Sequence, residues 1–170
     1  MAKDKKIFEG KLLKLYSRTV RLPNGFKAGF EVIKHPGAAL IIPCLTRDSI
    51  IMLKQLRPVV DNYLYELPAG TRNKGETPAA CAAREIIEET GFKAGKLTRL
   101  GMIYPVPGYS TERIDIYKAE KLSLRPFKPE QDEVLQSLIM KKPQVKRLFE
   151  AGRIVDAKTI CALSFIGWLS

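Results

Sequence analysis

The sequence predicts an α/β fold in which a mixed β-sheet is flanked by helices. Two aliphatic segments, residues 38–44 and 50–56, have the composition of buried strands. A segment with helical spacing, Pro78–Thr90, lies near the middle of the chain, with strand-like segments on both sides of it. This order predicts a mixed sheet with helices packed against it.

The N-terminal part of the chain is predicted to form antiparallel strands. Residues 6–16 alternate apolar and polar side chains, and residues 26–34 continue as a strand. The sequence Leu-Pro-Asn-Gly at residues 22–25 predicts the turn between them. The polar residues 46–49 predict a short hairpin loop between the two aliphatic strands.

The remaining elements follow in a mixed order. Residues 63–68 are predicted to be a short strand that leads into a loop at Gly70. After the central helix, the patterns predict strands at residues 97–104, 113–119 and 134–140. A short helix closed by Gly152 and an apolar-faced helix are expected at residues 143–151 and 157–169.

Length and composition predict one globular domain spanning residues 1–170, of which 45% are hydrophobic. The first ten residues carry charges without an apolar segment behind them, so no secretory signal is expected. The longest apolar run, near residues 159–169, is too short to cross a bilayer. We therefore expect a soluble cytoplasmic protein.

The reactive side chains narrow the chemistry. Cys44, Cys81 and Cys161 are far apart and form no CxxC pair, which argues against a disulfide framework or a zinc site. His35 is the only histidine, so carboxylates and a metal ion remain as the candidate groups. The net charge of +11 favours an anionic partner, but no RNA-binding motif is present and nucleic acid is not expected.

The central helix carries an unusual concentration of charge. Thr77 is a suitable N-cap, Pro78 suits the first turn and Gly91 suits the position just past the end. One face is predicted to hold Arg84, Glu85, Glu88 and Glu89. The opposite, apolar face is predicted to hold Ala79, Ala83, Ile86 and Thr90. The stacked carboxylates indicate either a solvated face offset by Arg84 or a site for a hard divalent cation such as Mg²⁺.

The spacing of these residues resembles a known signature. Gly70 is followed by five residues and Glu76, then by seven residues and a run from Arg84 to Phe92. Residues 70–92 resemble the complete signature of the Nudix hydrolases, which share an α/β/α sandwich. The resemblance implies hydrolysis of a nucleoside diphosphate linked to another moiety, with Mg²⁺ or, as a substitute, Mn²⁺.

The resemblance also implies roles for individual residues. Glu85 and Glu89 would be the main metal ligands, Glu88 a further ligand or a water-orienting group, and the Ala69 carbonyl a backbone ligand. Gly70, at the start of the signature, would belong to the catalytic site together with Arg84 and Glu88. Arg84 would hold the glutamates in place, and Glu76 would tie the loop to the helix.

Several phrases resemble one branch of this family, the ADP-ribose pyrophosphatases, which also take other nucleoside diphosphate sugars. These phrases are FEVIKHPGAALIIP, QLRP, ELPAG, GYSTE and AGRIVDAKTICAL. Pro107 lies fifteen residues after Phe92, where this branch has a proline. The resemblance therefore implies hydrolysis of ADP-ribose, GDP-mannose or ADP-glucose to a nucleoside monophosphate and a sugar phosphate.

The branch also indicates residues that would contact the substrate. Arg57 would contact the diphosphate, since its planar donor fork can bridge two oxygens. Glu66 would bond a ribose or assist a second metal ion, and the loop 105–112 would carry Ser110 and Glu112 towards the sugar. The base that activates water is expected among Glu133, Glu130 and Asp132, with Glu133 favoured.

The branch implies a homodimer in which the N-terminal strands, within residues 1–35, cross between subunits. Arg18 or Phe26 would then act in the partner's site. Two alternatives remain open: another diphosphate substrate, such as a dinucleoside polyphosphate, NADH or an RNA 5′ end, or a non-catalytic domain that senses nucleotide sugars. The presence of all three glutamates favours an enzyme.

Overall fold

The computed structural model describes residues 3–10, 13–125 and 134–169. The first sheet contains three antiparallel strands, β1 Lys3–Glu9, β2 Lys14–Arg21 and β3 Lys27–Ile33. The prediction of one strand over residues 6–16 is wrong, because β1 ends at Glu9 and β2 begins at Lys14, and the two strands pair with each other. The predicted turn at residues 22–25 is confirmed by the Gly25 N–H, which donates to the Leu22 carbonyl at 2.9 Å.

Two further sheets form the body of the molecule. Their strands are β4 Ala38–Pro43, β5 Ser49–Arg57, β6 Asn62–Glu66, β7 Ala69–Thr71, β8 Phe92–Ile103, β9 Ile114–Leu124 and β10 Leu135–Lys141. One sheet has the order β7-β4-β9-β8, with β4 and β9 parallel, and the other has the order β10-β5-β6. The described helices are α1 Pro78–Thr90, α2 Lys142–Glu150 and α3 Ala157–Phe165.

The two aliphatic strands are both present and the predicted short hairpin loop joins them, although the strands lie in different sheets. In this loop the Leu45 N–H donates to the Ser49 carbonyl at 3.0 Å. Only Cys44 and Ile50 form a bridge between the two segments. All of β4 and most of β5 are buried, so no regular alternation of apolar and polar residues restricts how the two strands pair.

Alternate side chains of β4 belong to two separate core clusters, one on each face of the strand. Leu40 and Ile42 pack in a cluster with Met52 of β5 and with residues of α2 and α3. Ala39 and Ile41 face a second cluster that contains Ile86 of α1. Because successive side chains of a strand point to opposite faces, β4 lies in a layer between helices. The predicted α/β class with a mixed sheet is therefore confirmed.

Several element boundaries differ from the prediction. β9 continues to Leu124 rather than ending at residue 119, and Gly70, predicted to lie in a loop, pairs with Ala39 within β7. β8 begins at Phe92, immediately after the helix, rather than at residue 97, because its pairing with β9 extends back to Leu124. α3 ends at Phe165 rather than near residue 169, since Gly167 adopts a φ of 66°, which a continuing helix excludes. In the part of the chain that the structure describes, no helix is long and apolar enough to span a membrane.

Candidate active site

Helix α1 forms over the predicted residues because its caps are local. The Thr77 hydroxyl accepts a hydrogen bond from the Ala80 N–H at 3.2 Å. Gly91 follows the last turn with a φ of 72°, and its N–H donates to the Ile87 carbonyl at 2.9 Å. This left-handed conformation strains any residue with a Cβ, so the glycine is required where the chain leaves the helix.

The packing of α1 differs from the predicted apolar face. Ile86 is fully buried as expected, but Ala79 and Ala83 are exposed. The buried residues of the helix are Cys81, Ala82, Glu85, Ile86 and Glu89. The helix is therefore rotated so that two of its carboxylates face the protein, where strand β7 covers them.

Arg84 gathers the acidic side chains of this segment. Its Nη1 donates to Glu85 Oε1 at 2.6 Å and to Glu88 Oε2 at 2.7 Å. Its Nε and Nη2 donate to the two carboxylate oxygens of Glu76, each at 3.0 Å. One guanidinium thus contacts three carboxylates, which is the geometry expected for a residue that holds the glutamates in place.

Glu76 closes the loop that precedes the helix. It accepts from the Asn73 N–H at 2.9 Å, and its carbonyl accepts from Arg72 Nε at 2.8 Å. Hydrogen bonds from Arg84, reinforced by the Asn73 N–H, lower the pKa of Glu76 to about 2. The tie between loop and helix that the signature implies is therefore present in the structure.

Strand β7 approaches the carboxylates through its backbone. The Ala69 N–H donates to Glu89 Oε2 at 2.8 Å. A Cβ added at Gly70 would lie 1.9 Å from Glu85 Oε1, so only a glycine leaves space for this carboxylate. The buried thiol of Cys81 donates to the Gly70 carbonyl at 3.4 Å, and burial raises its pKa to about 11.

The donor set of this region suits a hard divalent cation. Glu85, Glu88 and Glu89 offer carboxylate oxygens, and Gly70 provides the space in which one of them lies. Within residues 3–10, 13–125 and 134–169, however, no three acidic, thiol or imidazole side chains are close enough to form a complete ligand set. Arg84 instead bridges Glu85 and Glu88. The chemistry of the donors fits a metal ion, and Arg84 holds them beside one another.

Arg57 lies between these carboxylates and a cleft. A hollow of about 260 Å³ is lined by Arg57, Ala69, Gly70, Thr71, Arg84, Glu85 and Glu88. An adjoining cleft of about 370 Å³ shares Arg57 and the three residues of β7. Its other walls include Pro105, Glu112 and Lys158. Arg57 therefore faces both spaces at once.

The Arg57 guanidinium is held by a buried carboxylate. Its Nε and Nη2 each donate to Glu66 at 2.7 Å, and Glu66 is 1% exposed. Lys158 bonds the same carboxylate and also donates to Asp156 at 2.8 Å. Burial alone raises the pKa of Glu66, but the two cations outweigh it and the pKa lies below its ordinary value.

Of the other residues predicted to contact the substrate, only Glu112 lines the cleft. Ser110 instead accepts from the Glu112 N–H at 3.1 Å and bridges to Ile33 of β3. Pro107 is exposed, and Pro105 lines the cleft in its place. Arg18 pairs with Asp4 at 2.7 Å, and Phe26 is 66% exposed in the N-terminal sheet. Neither of these two lines the cleft or the hollow.

The expected base lies outside the described residues, since Glu130, Asp132 and Glu133 all fall within residues 126–133. Lys158 and Asp156, by contrast, were missed from the sequence. Both lie in the AGRIVDAKTICAL phrase, and Asp156 caps α3 by accepting from the Thr159 N–H at 3.1 Å. An aspartate followed by a lysine at a helix start looks like ordinary capping, so only the contact with Glu66 distinguishes Lys158.

Comparison with known proteins identifies relatives along most of the chain. The NUDIX domain family matches residues 34–160. The chain is 38% identical over 162 residues to the ADP-ribose pyrophosphatase of Bacillus subtilis (strain 168), with 94% of this chain and 88% of that protein covered. It is 32% identical over 166 residues to the methanol dehydrogenase activator of Bacillus methanolicus, with 96% and 90% covered.

The fold also matches a solved structure. The crystal structure of an ADP compounds hydrolase superposes with a TM-score of 0.84 at 22% identity, covering 96% of this chain and 89% of that chain. At this identity the likeness describes the fold. The family match spans most of the chain and contains all of residues 70–92. From this match and the arrangement of carboxylates around Arg84, we conclude that this protein belongs to the NUDIX domain family.

Proposed function

We propose that the protein is a Nudix pyrophosphohydrolase that cleaves the diphosphate bond of ADP-ribose and of related nucleoside diphosphate sugars. The observation that carries the proposal is the position of Arg57, which lines both the cleft and the hollow beside Glu85 and Glu88. A diphosphate bound there would meet a planar cation on one side and carboxylates suited to a metal ion on the other. The relation to the Bacillus subtilis ADP-ribose pyrophosphatase supports this substrate class.

Nudix hydrolases generally need a divalent metal ion, and we assign Mg²⁺ to this chain, with Mn²⁺ as a substitute. Glu85, Glu88, Glu89 and the Ala69 carbonyl would hold it. When bound, the ion would lower the pKa of a coordinated water and offset phosphoryl charge. Arg84 would keep Glu85 and Glu88 in position as the ion enters.

The role of Glu66 is revised from substrate contact to positioning. Both of its oxygens are bonded by Arg57, and Lys158 bonds one of them as well. A carboxylate that is 1% exposed and engaged by two cations has little capacity left for a ribose or a second metal ion. Glu66 and Lys158 together would orient Arg57 towards the diphosphate, while Glu112 and Pro105 would border the sugar.

A substrate panel tests this proposal directly. The purified full chain would be incubated with Mg²⁺ and ADP-ribose, ADP-glucose, GDP-mannose, NADH, a dinucleoside polyphosphate or triphosphorylated RNA, and the products separated by chromatography. We expect AMP and ribose 5-phosphate from ADP-ribose. The methanol dehydrogenase activator, a relative named for its effect on another enzyme, shows why the panel should extend beyond sugar nucleotides. Hydrolysis confined to the dinucleotides or the RNA would overturn the substrate assignment, and no hydrolysis at all would favour a sensing domain.

The variant Glu89→Gln tests the carboxylate site. The substitution retains the shape of the side chain but removes its negative charge. Glu89 is only 5% exposed, and its carboxylate accepts from the Ala69 N–H. Turnover should therefore fall at least about 10²-fold. The Mg²⁺ concentration for half-maximal activity should rise. Glu150→Gln, at an exposed position of α2, is the matched control and should retain activity. Near-normal turnover by Glu89→Gln would contradict the assignment.

A further inference from the structure

A second cavity, of about 740 Å³, lies away from the cleft. It is lined by the turn after β4, part of β9, the first residue of α2 and the segment after α3. Ala38, the first residue of β4, lines the cleft, whereas Cys44, just past the last residue of β4, lines this cavity. At 3.3 Å per residue, the strand separates the two spaces by about 20 Å.

The position in the sheet favours ligand binding. β4 and β9 run parallel, and Pro43 at the end of β4 pairs with Ala119. The cavity is formed by the residues that follow β4 and by Lys118, Glu120 and Lys121 within β9, so it opens at the carboxyl end of β4, beside a parallel strand that continues to Leu124. In α/β proteins, crevices at the carboxyl ends of parallel strands commonly bind ligands, because the loops that follow the strands can diverge there.

The lining carries an excess of positive charge. Its four basic side chains are Arg47, Lys118, Lys121 and Lys142. The cavity is also lined by two acidic residues, Asp48 and Glu120. Glu120 is already paired with Lys118 at 2.7 Å and with Lys96 at 3.8 Å. Among the described residues, the side chains of Arg47 and Lys121 form no hydrogen bond or ion pair. These two cations therefore remain available to an anion that enters the cavity.

The cavity also has an apolar wall, which could contact an uncharged part of a ligand. Ile166 and Trp168 line the cavity on the side of the segment after α3. Trp168 is 5% exposed and packs in the main core cluster, so its position is rigid. Cations at the rim and an aromatic residue in the wall suit a ligand with a phosphate at one end and a flat ring at the other. The volume lies in the range of small-molecule sites.

We propose that this cavity is a second binding site, for a phosphate-bearing small molecule of nucleotide size. Arg47 and Lys121 would contact the phosphate, and the wall formed by Ile166 and Trp168 would border the rest of the ligand. The proposal does not depend on which substrate is hydrolysed in the cleft. Arg47 and Lys121 contribute to the net charge of +11 but do not line the cleft, and the proposed site gives these two cations a function.

The sole tryptophan makes the test specific, since Trp168 is the only one in the chain and lines this cavity. The metal-free full chain would be titrated with AMP, and separately with inorganic phosphate, while tryptophan fluorescence is recorded. We expect a saturable change with AMP and at least about tenfold weaker binding of inorganic phosphate. In the double variant Arg47→Gln with Lys121→Gln, the Kd for AMP should rise at least about tenfold, because two charge-assisted contacts are lost.

The control removes the same charge elsewhere. Lys93→Gln with Arg153→Gln changes exposed cations that do not line the cavity, and it should bind AMP as the unaltered chain does. The Arg47→Gln and Lys121→Gln chain should keep its far-ultraviolet circular dichroism and its hydrolytic activity, since neither residue lines the cleft or the hollow. The absence of a saturable change, equal binding of AMP and phosphate, or equal affinities in the two double variants would each overturn the proposal.

Discussion

Arg84 is the residue on which the acidic side chains of the site depend. Its contacts with Glu76, Glu85 and Glu88 offset carboxylates that repel one another along one side of a helix. The desolvation of Glu85, which is 8% exposed, would be costly without such a partner. A divalent cation binds carboxylates in their ionised form, and Arg84 leaves these side chains next to one another.

Substitution of Gly70 tests the space beside Glu85. In Gly70→Ala the new Cβ would lie 1.9 Å from Glu85 Oε1 and 2.0 Å from its carboxylate carbon. The end of a side chain moves more easily than a strand, so the chain should fold while the carboxylate is displaced. We expect activity to fall at least about tenfold, as when the support of a metal ligand is lost. Gly29→Ala, which adds a Cβ with no neighbour within 4 Å, is the control. Equal activities in the two variants would contradict this account.

Glu76 provides a pH test with a defined sign. Its pKa of about 2 lies below the ordinary value of 4.5, so its charge stabilises the folded state above pH 4.5. That contribution should disappear as the pH falls from 4.5 towards 2. Urea unfolding at a series of pH values would compare the wild-type chain with Glu76→Gln. The difference in their free energies of unfolding should narrow over this range, and a constant difference would count against the Arg84 contact as its source.

At the scale of elements, α1 is placed by its ends and oriented by the strand beside it. Thr77 and Gly91 define its limits through local hydrogen bonds. Its rotation depends instead on β7, whose Ala69 N–H bonds Glu89 and whose Gly70 admits Glu85. A helix can therefore form where the sequence predicts it and still present a different face to the core.

The N-cap of α1 has a measurable effect on stability. Thr77→Ala removes the hydroxyl that accepts from the Ala80 N–H, which should lower the free energy of unfolding by about 1 kcal/mol. Thr77→Ser keeps the acceptor and should recover most of that loss. Urea denaturation with a constant m-value would measure both variants. Equal losses in the two would show that the hydroxyl is not the stabilising group.

At the scale of the whole molecule, the N-terminal sheet is joined to the body through few contacts. The Ile33 N–H donates to the Tyr109 carbonyl at 2.7 Å, and the Thr111 N–H donates to the Ile33 carbonyl at 2.9 Å. Large side chains of this region remain exposed, among them Ile7, Phe8, Leu13, Phe26 and Phe30. Exposed apolar side chains concentrated on one sheet are typical of a surface that meets another protein. The homodimer expected from the sequence remains our proposal for that partner.

A charge introduced on this sheet tests the dimer. Phe8, which is 56% exposed, would be replaced in Phe8→Glu, and light scattering after size-exclusion chromatography would give the molar mass. Burying a carboxylate in an apolar interface is unfavourable, so the variant should shift towards monomer. Val59→Glu alters a residue that is 99% exposed outside this sheet and should leave the mass unchanged. A monomeric wild-type chain would exclude the proposed dimer.

The sequence by itself determined the features that depend on neighbours in the chain. The limits of α1, the turn at residues 22–25 and the identity of the carboxylates follow from caps, turn residues and spacing. Gly70 and Glu76 were identified because the signature fixes their distance from Arg84 along the chain. Such features need only local hydrogen bonds and the period of a helix, which a sequence displays directly.

Only the tertiary structure decided which side chains meet across the fold. The separation of β4 and β5 into two sheets could not be predicted, because a fully aliphatic strand shows no preferred partner. Lys158 lies 92 positions after Glu66, and their contact exists because the start of α3 meets the end of β6, where the Leu67 N–H donates to the Thr159 hydroxyl at 2.8 Å. The rotation of α1, the pairing of Arg57 with Glu66 and the cavity at Trp168 arise in the same way. Each depends on packing between segments that are distant in the sequence. Such packing is determined by the free energy of the whole fold, so it cannot be deduced from neighbouring residues alone.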